Sequence, residues 1–377
     1  MGFLDPLPWR NSPTAPFPSF AGWTTEPGSS RILLLKLALI TDAWRPQING
    51  VVTTLSTVTE CLKGFGQTVE TFTPDQFQNW PCPTYPEIRL ALGCRRRLHE
   101  RLEAFNPDAI HIATEGPLGL AARRYCLKHG LPFTTSFHTL FAEYVNVRTG
   151  IPLAWGYRFL AWFHNAGERA MTATPGLVDQ LRQRGFQTPA LWSRGVDTDL
   201  FCLRERDRLT GPGPRLLYVG RVAVEKNIEA FLALDVPGTK YVIGDGPQRA
   251  ELEVKYPAAV FLGYRQGEEL ARHIASADVF VFPSRTDTFG LVMLEALACG
   301  VPVAAYPVQG PKDVILSDQV GCLDEDLAKA VTTALTLNRD ACRQYALGYT
   351  WERCARLFES HLAPIPRAEA QLVRAIP

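Results

Sequence analysis

From residue 31 onward the chain alternates short apolar runs with longer amphipathic stretches. The runs RILLLKLALI (31–40), TVETFTP (68–74), DAIHIA (108–113), LPFTTSF (131–137) and RAMTATP (169–175) have the length and composition of strands. Between them, VVTTLSTVTECLKGF (51–65), GPLGLAARRYCLKHG (116–130) and PGLVDQLRQRGF (175–186) carry apolar residues at helical spacing. Gly130 and Gly185 close two of these helices. Strand–helix alternation with short turns predicts a parallel, doubly wound α/β sheet.

The pattern breaks at LRERDRLTGPGPR (203–215), where a charge cluster and Gly-Pro pairs suit a linker. It then restarts with RLLYVG, KYVIGDG, AVFLGY, DVFVFPS and VPVAAYP, again separated by helices. Two α/β units of about 150 residues each follow, the usual size of a domain. We place them at 31–203 and 215–350, with 204–214 as the linker. Two Rossmann-like domains face a cleft at the carboxyl ends of their strands, where open α/β sheets bind ligands. Residues just after strands are therefore the informative ones.

Length agrees: 377 residues exceed what one core usually supports. A formal net charge of +1 argues against bulk nucleic-acid binding, so any attraction to phosphate is local. The nine cysteines are dispersed without a CxxC pair, which disfavours a disulfide framework or zinc site and predicts a cytoplasmic protein. The most apolar run, 32–40, is too short to span a bilayer and contains Lys36. Residues 1–30 hold six prolines and no periodicity, and read as a flexible leader rather than a signal peptide.

Five stretches after strands could carry chemistry. In TDAWRPQINGVVTTL (41–55), Asn49-Gly50 precedes a helix start whose amides could face an anion. An ordinary turn using the positive φ of Asn-Gly competes evenly with that. In LLYVGRVAVEKN (216–227), Arg221 and Lys226 converge near a strand end and suit a diphosphate, against the alternative of a solvated charged turn. In VIGDGPQ (242–248), Gly244 and Gly246 permit close backbone approach, but no third glycine completes a dinucleotide fingerprint. His138 in SFHT stands just past a strand, where a neutral imidazole can bond a sugar or phosphate oxygen.

The fifth stretch is PSRTDTFGLVMLEALACG (283–300). Ser284 and Arg285 end a strand, and Asp287 lies in the loop, where it could cap the next helix. If 289–299 is helical, Glu295 shares a face with Leu291, Val292, Ala298 and Cys299, so its carboxylate interrupts the apolar stripe. Capping by Asp287 does not explain that placement. Two carboxylates here could accept hydrogen bonds from the hydroxyls of one ligand.

The ordered set of NG turn, SRGVD, GR-x4-K, GDGP and carboxylate-x7-Glu resembles the retaining GT-B glycosyltransferases of family 4. The resemblance spans residues 31–363 and is nearest to bacterial α-mannosyltransferases and sulfoquinovosyl-diacylglycerol synthases. It implies an N-terminal acceptor domain, a C-terminal nucleotide-sugar domain, a helix at 351–363 crossing back to the first domain, and a tail at 364–377. It also implies roles. Arg221 and Lys226 would hold the donor diphosphate and stabilise the leaving group. Glu295 would bind the ribose; Asp287 and the amides of Phe289 and Gly290 would hold the sugar, beside Arg285. Gly50, Gly244 and Gly246 would bring backbone to the donor, His138 would meet the sugar near the reacting carbon, and Arg194 would stand at the domain junction. The family commonly has Glu where this chain has Asp287, one methylene shorter.

The expected activity is transfer of a hexose, mannose from GDP-mannose first, to a lipid or glycan hydroxyl, with no cofactor and no metal. Asp197-Thr-Asp199 resembles a metal-binding DxD only in spelling. Sulfoquinovosyl or glucosyl transfer from a UDP-sugar is the alternative, and a non-catalytic nucleotide-sugar-binding protein of the same fold is the rival from another class. A dehydrogenase is disfavoured by the missing GxGxxG. Arg95, Arg96 and Arg97 beside Leu98 and Leu102, and Trp155, Phe159, Trp162 and Phe163 at helical spacing, raise peripheral contact with the inner membrane face. A solvated arginine cluster and a core-facing aromatic stripe are the favoured reading of those residues.

Overall fold

A computed structural model describes residues 35–47, 49–82 and 85–366. The leader at 1–30, the first residues of the predicted opening strand and the tail beyond 366 lie outside them. Two six-stranded sheets, every strand pair parallel, build the molecule. The first contains β1 (Lys36–Ile40), β2 (Thr68–Phe72), β5 (Ala109–Ile112), β6 (Thr134–Phe137), β7 (Arg169–Thr172) and β8 (Pro189–Leu191), in spatial order β2-β1-β5-β6-β7-β8. Between β2 and β5 an antiparallel ribbon, β3 (Trp80–Cys82) and β4 (Tyr85–Leu90), stands apart. The second sheet contains β9 (Arg215–Val219), β10 (Thr239–Ile243), β11 (Val260–Gly263), β12 (Val279–Phe282), β13 (Val303–Ala305) and β14 (Gly321–Leu323), in order β11-β10-β9-β12-β13-β14. In both, the strand order reverses beside the first strand of the unit, the switch point at which open α/β sheets bind ligands.

Central strands are buried on both faces, which explains their unbroken apolar spelling: VFVF of β12 and AIHI of β5 are buried throughout. His111 within β5 tolerates this because Thr134 and Ser136 of the neighbouring strand bond its two ring nitrogens at 2.9 and 2.8 Å. Burial lowers its pKa to about 3, so it stays neutral.

Residues 204–214, predicted to be a linker, are strapped to the second lobe. Arg204 is bonded bidentately to Glu268, Arg272 reaches Asp207 at 2.6 Å, and Leu209 is buried. The helix Trp351–His361 leaves the second lobe and packs on the first. Trp192 Nε1 donates to the Cys354 carbonyl at 3.2 Å, and the Phe358 ring lies 4.7 Å from that of His111. Where the chain passes between lobes it does so twice side by side, with Val196 N donating to Tyr349 O at 2.8 Å. Gly195 permits this approach, since a Cβ there would lie 2.6 Å from the Trp351 nitrogen.

The nine cysteines form no disulfide. Among the described residues no helix is long and apolar enough to cross a membrane. The aromatic stripe expected to face the core does not. In the helix Leu153–His164, Tyr157, Leu160 and Phe163 are buried, whereas Trp155, Phe159 and Trp162 are exposed. Helix Pro117–His129 and the sheet already fill the inner side of this element, so among the described residues the second aromatic row stays outside the core.

Candidate functional site

The carboxyl end of β9 opens into Gly220 and Arg221, then a 3₁₀ turn Val224–Lys226. This turn is stitched to the loop after β12. Asn227 Nδ2 donates to Pro283 O at 3.1 Å, and Thr286 Oγ1 to Glu225 O at 3.2 Å. The stitching sets Lys226 Nζ 2.5 Å from Asp287 Oδ1. Asp287 therefore does not cap the following helix. That helix, Leu291–Ala298, starts instead from Gly290 in the left-handed region at φ 82°, without a side-chain cap. The Asp287 Oδ2 is buried and has no hydrogen-bond partner among the described residues.

Glu295 is half-buried, on the same side as the half-buried Leu291 and Val292, while Met293, Leu294, Ala296, Leu297 and Ala298 are sealed in the core. The apolar stripe predicted around it is thus two faces, and Glu295 belongs to the more open one. None of its hydrogen-bonding capacity is used within the described residues, and burial pushes its carboxyl up to about 7. The first lobe approaches this same helix start: a Cβ on Gly50 would lie 3.5 Å from Leu291 Cδ1. Asn49 is extended (φ −157°), so the Asn-Gly turn is not of the positive-φ kind. Its side chain caps the Gly50–Gly64 helix by accepting from the Val51 and Val52 amides.

His138 and Arg194 meet at the lobe junction. Arg194 Nη2 lies 3.3 Å from His138 Nδ1. A guanidinium only donates, so Nδ1 accepts and the imidazole proton sits on Nε2. That nitrogen is buried and unbonded. Burial, then the Arg194 charge, holds the His138 pKa well below its usual value, and burial lowers Arg194 to about 10. The ring is therefore a neutral N–H donor with no acceptor among the described residues.

Other expected residues play different parts. Arg285 stacks on Tyr306 at 3.7 Å and bonds Glu325 at 2.9 Å, apart from the Lys226–Asp287 pair. A Cβ on Gly244 would lie 1.8 Å from Gly220 O, and one on Gly246 2.3 Å from Val222 O. These glycines let the β9 and β10 loops touch. Asp197 Oδ1 accepts from the amides of Asp199 and Leu200, a local turn. Among the described residues no group of three or more His, Cys, Asp or Glu forms a metal site.

Three residues escaped sequence reasoning. Thr288 Oγ1 donates to His138 O at 3.0 Å, and Asp313 Oδ1 accepts from Gly176 N at 3.3 Å, both across the cleft. Asp42, at the end of β1, accepts from Leu118 N, Gly119 N and Thr114 Oγ1 and so holds the start of helix Pro117–His129, which follows β5; burial raises its carboxyl to about 6. Its strand-end position was the available signal. Thr288 and Asp313 lacked one, because their partners are backbone groups of the other lobe.

Comparison with known proteins agrees with this geometry. Residues 48–200 match the family described as Glycosyltransferase Family 4, and residues 213–337 match Glycosyl transferases group 1. A GDP-mannose-dependent alpha-mannosyltransferase of Mycobacterium tuberculosis is 31% identical over 77% of this chain and 83% of its own length. Sulfoquinovosyl transferase SQD2 of Arabidopsis thaliana is 32% identical over 65% of this chain, which spans about half (51%) of that protein. Sucrose-phosphate synthase from Thermosynechococcus elongatus superposes with a TM-score of 0.69 over 91% of this chain and all (100%) of that one, at 22% identity. Anabaena HepE, solved with UDP-glucose, superposes at 0.64 over 86% of this chain and 99% of that one, at 15% identity. The chain belongs to glycosyltransferase family 4 and is a glycosyltransferase of the GT-B fold.

Proposed function

We propose that the protein transfers mannose from GDP-mannose to a hydroxyl of a lipid or glycan acceptor, with retention at the anomeric carbon. The observation that carries this reading is Glu295, a half-buried carboxyl with no hydrogen-bond partner among the described residues, on the helix whose start meets the first lobe. A pair of ribose hydroxyls supplies the donors it lacks. In this reading Arg221 and Lys226 hold the diphosphate. Asp287, with the amides of Phe289 and Gly290, receives the sugar hydroxyls through its unbonded Oδ2.

The reaction breaks the bond from sugar C1 to the phosphate oxygen and forms one from C1 to the acceptor oxygen on the same face. The acceptor's proton passes to the departing phosphate, whose developing charge Arg221 and Lys226 stabilise. His138, neutral with its proton on Nε2, donates to a sugar oxygen and does not serve as the base. No cofactor takes part. Relatives named for GDP-mannose, in Mycobacterium tuberculosis and Mycolicibacterium smegmatis, support mannose as the donor sugar. The 32% identity to a sulfoquinovosyl transferase favours a second reading with a UDP-sugar.

Thermal shift with GDP, UDP and ADP, followed by assay of donor hydrolysis, separates the two. A ligand at 100 times its Kd stabilises by about 2.7 kcal/mol, so the cognate nucleotide stands out. The largest shift with GDP and slow hydrolysis of GDP-mannose are expected. A larger shift with UDP overturns mannose.

A further inference from the structure

Among the described residues, no element covers the exposed aromatic row of the first lobe. Helix Leu153–His164 presents Trp155 (72% exposed), Phe159 (40%) and Trp162 (52%) at i, i+4 and i+7, one stripe along its outer side. Next to it Leu120 and Leu127 of helix Pro117–His129 are also exposed. Isolated apolar side chains on a surface need no explanation, but a continuous row spanning two neighbouring helices does.

The patch is also rigid. Gly156 lets helix Phe141–Thr149 come close, for a Cβ there would lie 2.8 Å from Ala142 Cβ, and Tyr157 OH donates to Glu143 at 2.6 Å. Arg123 clamps the other end, stacking 3.8 Å over the Trp162 ring while donating to the carbonyls of Trp162 and Phe163. The aromatic rings are thus presented by fixed helices, not by a loop.

The charge around the row is mainly basic, with Glu100, Glu103 and Glu143 as the acidic residues of the adjoining helices. Helices Pro117–His129 and Leu153–His164 contain Arg123, Arg124, Lys128 and Arg158 and no acidic residue. Helix Arg95–Phe105, joined to the first of these by His99 Nε2 against Ala121 O at 3.2 Å, adds exposed Arg95, Arg96 and Arg97. Tryptophan and phenylalanine flanked by arginine and lysine suit an anionic bilayer surface, where rings enter the headgroup region and cations meet phosphate. The position suits it as well. Helix Phe141–Thr149, which begins just after His138 and carries the exposed Phe141, packs on this helix at Gly156.

We infer that this helical face docks the protein on an anionic lipid surface, with the cleft beside the bilayer. The inference deepens the proposed function by naming where a lipid-linked acceptor is met. It rests on that reading for its purpose, but its test needs neither donor nor acceptor.

The test is cosedimentation of the full chain with vesicles of phosphatidylcholine, with or without phosphatidylglycerol. Binding is expected only with phosphatidylglycerol, accompanied by a blue shift of tryptophan fluorescence. Trp155→Ser with Phe159→Ser weakens it by roughly tenfold or more, and Arg124→Glu with Arg158→Glu does the same. Both variants retain the nucleotide-induced thermal shift, so loss of fold and loss of the nucleotide site are told apart from loss of docking. Equal binding by wild type and both variants, or no binding to either vesicle, overturns the inference. So does self-association of the wild-type chain that the aromatic variant abolishes.

Discussion

Lys226 Nζ and Asp287 Oδ1 lie 2.5 Å apart, joining two strand-end loops that are 61 residues apart in the chain. Neither side chain is more than a quarter exposed, at 24% and 17%, so the pair is well shielded from solvent. In the proposed reading, a diphosphate entering the cleft would compete with Asp287 for Lys226, and a sugar would compete for the carboxylate, so the pair would keep both groups poised until the donor divides them.

Replacing Arg221 and Lys226 together by alanine removes the cations assigned to the leaving group. We expect transfer to fall by at least about 100-fold, the usual cost of losing a preorganised charge stabiliser. Circular dichroism and the melting profile are expected to stay close to wild type. Undiminished transfer would sink the mechanism.

Glu295 links activity to pH and stability in opposite senses. Its carboxyl is raised from 4.5 to about 7 in the fold, so between those values the folded chain binds more protons than the unfolded one. Stability from this group is therefore greatest at low pH and falls as pH rises through that window. In the proposed reading the carboxylate accepts from the ribose, so nucleotide binding should strengthen over the same range. Glu295→Gln should raise the melting temperature more at pH 8 than at pH 5 while weakening nucleotide affinity at pH 8. Titration calorimetry and melting curves at the two pH values check both halves. Tighter nucleotide binding by the variant at pH 8 would refute the role.

Thr288→Val removes one hydrogen bond between the lobes, Thr288 Oγ1 to His138 O. A bond of this kind contributes about 1 kcal/mol, so the closed arrangement should lose roughly fivefold in population. Small-angle scattering of the ligand-free protein is expected to report a larger radius, and donor KM to rise by a similar factor. An unchanged scattering curve together with unchanged KM would remove Thr288 from the closing contacts.

Gly195→Ala drives a methyl into the backbone of Thr350 and Trp351, at 2.6 to 2.8 Å. Backbone cannot swing aside as a flexible side chain can, so a loss of about 1–3 kcal/mol is expected, read by urea unfolding. A variant as stable as wild type would mean that the two crossing segments separate at little cost.

Most of the parallel scaffold was legible because its strands are buried on both faces and spell as apolar runs. Strands β8 and β14 were not, since PAL and GCL are three residues long at sheet edges and carry no period. The site was legible where chemistry follows a strand end, as for Arg221, Lys226, Asp287 and Glu295. The sequence did not disclose the destination of a side chain that leaves its own element. Arg285 turns to Tyr306 and Glu325, and the outward row at Trp155, Phe159 and Trp162 spells like an inward one. Helical spacing marks a stripe but not which side of it meets the sheet.

The double passage between the lobes, with Val196 alongside Thr350, has a mechanical consequence. A single tether would let one lobe spin and slide on the other. Two adjacent tethers define an axle: they permit swinging open and resist twist. Because the second tether ends in a helix whose Cys354, Ala355 and Phe358 are buried in the first lobe, that axle is anchored at both ends. Cutting the chain after Thr350 would therefore unbolt the hinge and strip the first lobe of part of its core in the same stroke.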